Sequence, residues 1–162
     1  MDDETRGAVA AVWAAAASLS SSEVLRRIDA LVSESPHDAQ SVFEAASARD
    51  YADREGEAEQ LYRRALDLGL AEPHRGRAVV QLASTLRNLG RPQDGITLLQ
   101  DYFGAHPEHP LIDAARAFLA LCLVDAGDPR GAAAVALDAL ADHLPEYQRS
   151  VRAYAAALAS DS

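Results

Sequence analysis

A chain of 162 residues, 49% of them hydrophobic, is long enough to bury a substantial core as one domain or as one short repeat array. Its 15 basic side chains, all arginine, face 25 acidic ones, and the formal charge of −10 opposes a general attraction to nucleic acid or to an anionic membrane, since both need a basic surface. The lack of lysine removes the phosphate-loop lysine, the Schiff-base lysine and the Ser/Lys nucleophile pair, and Cys122, the one cysteine, allows neither an intramolecular disulfide nor a cysteine-based zinc cluster.

Alanine dominates, Val, Ile and aromatics are sparse, and no stretch alternates apolar with polar over strand length, so every predicted element is a helix. The N-terminal apolar run from Ala8 to Ala17 is too short to span a bilayer and follows Asp2, Asp3 and Glu4, where a signal peptide needs positive charge. It reads as a helix over about 5–18 with Val9, Val12, Trp13 and Ala16 on one face. Ser20 with Glu23 forms a capping-box pattern that opens a helix to about 34, striped by Val24, Leu25, Ile28, Leu31 and Val32. Pro36 closes the connection. Three helix pairs follow, at about 38–52 with 55–69, 75–89 with 92–104, and 111–126 with 129–142. Gly90 and Gly127 sit just past first helices, where a left-handed residue ends the ladder, and Pro92 and Pro129 sit in the first turn of the next, where a missing N–H costs little. Cys122 lies in an apolar run and reads as a buried, inert thiol, in keeping with a reducing cytoplasm. A last helix over 146–160 carries Tyr147, Val151, Tyr154 and Leu158 at helical spacing and is expected to cover the open end of the array.

The pairs repeat with a spacing of 37 residues over 39–149, flanked by the helices of 1–38. Ala58, Gly95 and Ala132 align, as do Tyr62, Leu99 and Ala136, Ala45, Leu82 and Leu119, and Gly90 with Gly127. Such a period marks a helical solenoid of stacked hairpins, here a single helical repeat domain of about nine helices, and it points to binding rather than catalysis. The small residues at 58, 95 and 132 let antiparallel helices approach at the short end of the usual range of about 8–10 Å.

Within each unit the spacing of small and bulky residues resembles the tetratricopeptide repeat. The middle unit reads Gly95, Leu99, Tyr102, Pro107, the first reads Ala58, Tyr62, Ala65, Leu70, and Val79, Leu82, Ala83 and Leu86 fill the expected first-helix positions. The runs QLASTLRNLG at 81–90 and LYRRAL at 61–66 look like a divergent bacterial group of these proteins. Tyr102 stands where alanine is expected, and Arg49 and Arg116 stand at bulky positions. The resemblance implies an all-α, right-handed helical-hairpin solenoid, a non-catalytic adaptor whose first helices line a concave groove for a peptide or helix of another protein.

Stacked hairpins with one open inner surface lead to the same face from the residues alone. Its expected lining is Phe43, Ser47, Asp50 and Tyr51, then Arg77, Val80, Gln81, Ser84, Arg87 and Asn88, then Ala117, Leu121, Val124 and Asp125. Between Glu72 and Asp94 there is no acidic residue, while Arg75, Arg77, Arg87 and Arg91 make that interval formally +4. It reads as a site for an acidic peptide or a terminal carboxylate, because Arg presents paired donors to carboxylates. The other reading pairs these arginines internally with Asp50, Asp53, Asp125 and Asp128. A homodimeric scaffold whose groove is filled by its own terminal helix is the alternative function, and a small helical enzyme the third. His106 and His109 sit among Pro107 and Pro110 in a connection, so no metal or other cofactor is expected, nor a catalytic residue, since no phosphate loop or nucleophile elbow is present.

Overall fold

The computed structural model describes residues 1–160, which form nine α-helices and no strand: α1 Asp3–Ala15, α2 Ser21–Val32, α3 Ala39–Asp50, α4 Glu55–Asp67, α5 His74–Asn88, α6 Pro92–Gly104, α7 Ile112–Asp125, α8 Pro129–Ala141 and α9 Gln148–Ser160. Short polar side chains start several of them. Asp2, Ser20, Asp38 and Asp128 accept hydrogen bonds from the backbone N–H groups of Thr5, Glu23, Ser41 and Gly131, which would otherwise lack a partner in the first turn. Proline opens α6 and α8.

The first helices of the pairs end in one way. At α5 the Arg91 N–H reaches the Leu86 carbonyl and the Gly90 N–H reaches Arg87, and at α7 Asp128 and Gly127 reach Leu123 and Val124. Gly90 and Gly127 stand at φ 75° and 86°, so each end is a Schellman motif with glycine in the left-handed position. The end of α3 repeats the pattern through Arg54 to Arg49 and Asp53 to Asp50, but the left-handed residue is Asp53, at φ 55°.

The chain divides into two compact units, Met1–Thr85 and the remainder from Leu86. In the first, Val9, Ala16, Val24, Ile28, Val32 and Ala48 bring α1, α2 and α3 onto one core, with Trp13, Leu25 and Leu31 packed around it. α3 then packs on α4, and Ala46, Ala58, Tyr62, Ala65, Leu82 and Ala83 are buried. Burying a side chain the size of Leu82 is worth about 1.5–3 kcal/mol. Arg49, at a position expected to be bulky, is held by both Asp29 carboxylate oxygens at 2.6 and 3.2 Å and donates to the Ala45 carbonyl, so its charge is matched by α2.

In the second unit α6 packs on α7, α7 on α8 and α8 on α9. Its buried residues are small or aliphatic for the most part: Leu86, Gly95, Ile96, Leu99, Phe103, Ala115, Cys122, Ala132, Ala134, Ala141 and Ala155. Ala58, Gly95 and Ala132 are each the fourth residue of a 13-residue second helix, and all three are buried. Arg116, the other charge at a bulky position, lies within 3.6–3.9 Å of Asp113, Asp138 and Asp142, which ties α7 to α8.

The last helix differs from its expected form. Tyr147 has φ 67° and lies outside α9, and Tyr147 and Tyr154 are 75% and 71% exposed. The face turned inward is Val151, Ala155 and Leu158, with Ala155 buried and the other two half-buried. A methyl group at the centre of that stripe lets α9 lie close on α8, and the two tyrosines are left outside.

Candidate interaction faces

In the first unit the residues expected to line an open surface are mostly packed. Phe43 is 4% exposed, its ring against those of Tyr62 and His74, with centroids 6.1 and 5.5 Å away. Val80 is buried, and so is Ser47, whose hydroxyl donates to the Phe43 carbonyl at 3.1 Å. These three residues fill the interior instead of meeting solvent. Helical spacing places Phe43 and Ser47 on one face of α3, but Tyr62 of α4 and His74 at the start of α5 pack on Phe43. Asp50 accepts from the Tyr62 and Thr85 hydroxyls, both at 3.2 Å, and burial raises its carboxyl above the usual range despite those donors. It holds three helices together.

Tyr51 remains partly exposed, yet its hydroxyl donates to the Ala16 carbonyl and its ring meets Trp13 edge-on at 5.9 Å. Glu44, which the sequence does not single out, lies in the same place. It is buried, accepts from the Trp13 indole N–H at 2.7 Å, and has its carboxyl pushed up by burial, with the Trp13 bond and the charge of Arg77 opposing. Trp13 stands 31 residues from Glu44, so no short motif could have joined them. On α5, Arg77 is exposed, Gln81 and Ser84 are half-buried, and the buried Oε1 of Gln81 has no hydrogen-bond partner. Burial, together with the charge of Arg77, pulls His74 below its ordinary value.

The second unit presents a different surface. Arg87 donates to Asp125 and to the Asn88 side chain, both at 3.1 Å, and Arg91 grips Asp94 at 2.5 and 2.7 Å, so both arginines are matched by acids of their own unit. Beside the Arg87–Asp125 pair, α7 exposes Ala117, Leu121 and Val124 in an i, i+4, i+7 stripe, with Leu121 45% and Val124 51% accessible. Cys122, on the opposite side of that helix, is fully buried, and burial pushes its thiol up. His106 stacks on Tyr102 at 4.5 Å and His109 meets Phe103 edge-on at 5.3 Å. Among the described residues, no group of three or more His, Cys, Asp or Glu side chains converges on a point where a metal ion could sit.

An all-helical chain of antiparallel hairpins, with small residues at a fixed place in each second helix, is a helical-hairpin repeat protein. The family model described as Tetratrico peptide repeat matches residues 39–158, and the chain belongs to that family. No curated protein and no solved structure matches it. Membership points to a protein-interaction repeat module with protein partners, in a family that is generally non-catalytic. Among the described residues no helix is long and apolar enough to cross a membrane.

Proposed function

We propose that this protein is a cytoplasmic, non-catalytic adaptor built on 37-residue units, and that its second unit takes a helix or extended segment of a partner on the outer stripe of α7. The observation that carries this reading is the exposure of Leu121 and Val124 together with Ala117 on one helix face, while Ala115 and Cys122 on the opposite side are buried. Apolar anchors at i, i+4 and i+7 are what an amphipathic partner helix needs to lie against. Arg87 and Asp125 border the stripe as a pair, so they set orientation, while apolar contact supplies most of the affinity. An acidic partner is then favoured only at the rim, by Arg87, Asn88 and Arg91.

Affinity capture from native extract, comparing the parent with Leu121→Asp/Val124→Asp, tests the reading. The expected result is loss of the retained protein with an unchanged helical signal. Equal capture by both chains contradicts it. A homodimer is the second reading, favoured by the exposure of Leu140, Tyr147 and Tyr154 around α8 and α9. Sedimentation that depends on protein concentration, and is lost on Tyr154→Glu, supports that alternative.

A further inference from the structure

The first unit holds a cavity of about 260 Å³ that the interaction faces do not use. Val32, Val42, Ala45 and Leu61 give it an apolar floor, and Asp29 and Arg64 stand among its walls. The charge of these two walls differs. Asp29 is held through both oxygens by Arg49, and the Glu57 carboxylate beyond Arg49 is gripped by Arg54, so that side carries matched charges. Arg64 has no carboxylate within ion-pair distance among the described residues. Its guanidinium is steered by one bond to the Pro36 carbonyl at 2.8 Å and one to His37 Nδ1 at 3.1 Å. Because an arginine can only donate, His37 Nδ1 accepts that bond.

We propose that this cavity binds a small monocarboxylate with a short apolar tail, its tail on the Val42–Leu61 floor and its carboxylate on Arg64. The charge argues for the head group: both Arg64 bonds are made by Nη2, so its Nε and Nη1 donors remain for a carboxylate, and the exposed guanidinium has no acid partner among the described residues. The lining argues for the tail. The volume sets the size: it falls below the range of about 300–1,000 Å³ that suits drug-sized ligands, so the occupant has only a handful of carbons.

A titration of the labelled full chain with 4-methylpentanoate, followed by amide ¹H–¹⁵N shifts, tests the site. Saturable shifts at Ser33, Ser35, Ala45, Leu61 and Arg64 are expected, with 4-methylpentanamide weaker by about tenfold because it lacks the charge. Arg64→Gln, at an exposed position, should weaken the acid by a similar factor and leave the amide unchanged. Equal binding of acid and amide overturns the proposal, as do shifts scattered elsewhere or full affinity in Arg64→Gln. A third arm, an acetylated dipeptide ending in leucine, separates a free acid from a chain terminus: tighter binding of the dipeptide overturns the small-molecule assignment.

Discussion

Helices α3 and α7 are both first helices of a pair, yet they are buried to different degrees. Seven of the twelve residues of α3 are buried, including Glu44 and Ser47, whereas on α7 only Ala115 and Cys122 are. The cause lies in what covers them. α3 receives α2 and α4 on its flanks, and Trp13 and Ala16 at the N-terminal end reach Glu44 and Tyr51. α7 receives α6 and α8 and keeps Leu121 and Val124 in solvent. Equivalent positions in a repeat are therefore not equivalent surfaces, and a covered first helix contributes stability where an uncovered one can contribute binding.

The contrast is broken most directly by truncation. Phe43→Ala should cost about 3–5 kcal/mol in urea denaturation, as expected for an aromatic removed from a packed core, whereas Leu121→Ala should stay within about 0.5 kcal/mol and still reduce partner capture. Similar costs at the two sites would erase the distinction. Next in size, Ala58→Leu and Gly95→Leu should each lose about 1–3 kcal/mol by overpacking buried second-helix positions, with glycine removal offsetting part of the loss in α6. A melting temperature at or above the parent's would show that those helices do not approach closely.

The helix ends sharpen the comparison further. α7 ends on Gly127 in the left-handed region and α3 ends on Asp53. Gly127→Ala should cost about 1 kcal/mol, and Asp53→Gly should gain about 0.5 kcal/mol, both read from denaturation midpoints. The smallest effect is one of pH. Burial raises the carboxyls of Glu44 and Asp50, so over a window starting near about pH 4 the folded state keeps protons that the unfolded chain has released. Their contribution favours folding below that window and declines as pH rises through the raised values. Glu44→Gln keeps an oxygen for Trp13 and should flatten that decline above about pH 4. An unchanged slope would mean that Glu44 titrates as it does in the unfolded chain.

These contrasts explain what the sequence could convey. The helices, the glycine ends at 90 and 127 and the small residues at 58, 95 and 132 were legible because each depends on local backbone geometry or on periodic spacing. Asp53 was not, since an aspartate carries no sign that it will adopt the glycine conformation. Phe43, Ser47 and Val80 were placed on an open surface because helical spacing tells which residues share a face, not which neighbour covers it. Glu44 was missed for the same reason, its partner Trp13 lying in a separate helix. The α9 stripe slipped because Tyr147 falls before the helix begins and Ala155 carries the close contact. Pairing of Arg87 with Asp125 stood in the sequence as one of two alternatives, and only the packing of α7 brings them within 3.1 Å.

The claim that α7, and not α3, is the binding helix is tested most directly by amide hydrogen exchange on the chain alone and on the chain with its captured partner. Added protection concentrated over 112–125, with 39–50 already protected in the free protein and unchanged on binding, is the predicted result. Protection gained over 39–50, with 112–125 exchanging as before, would contradict it.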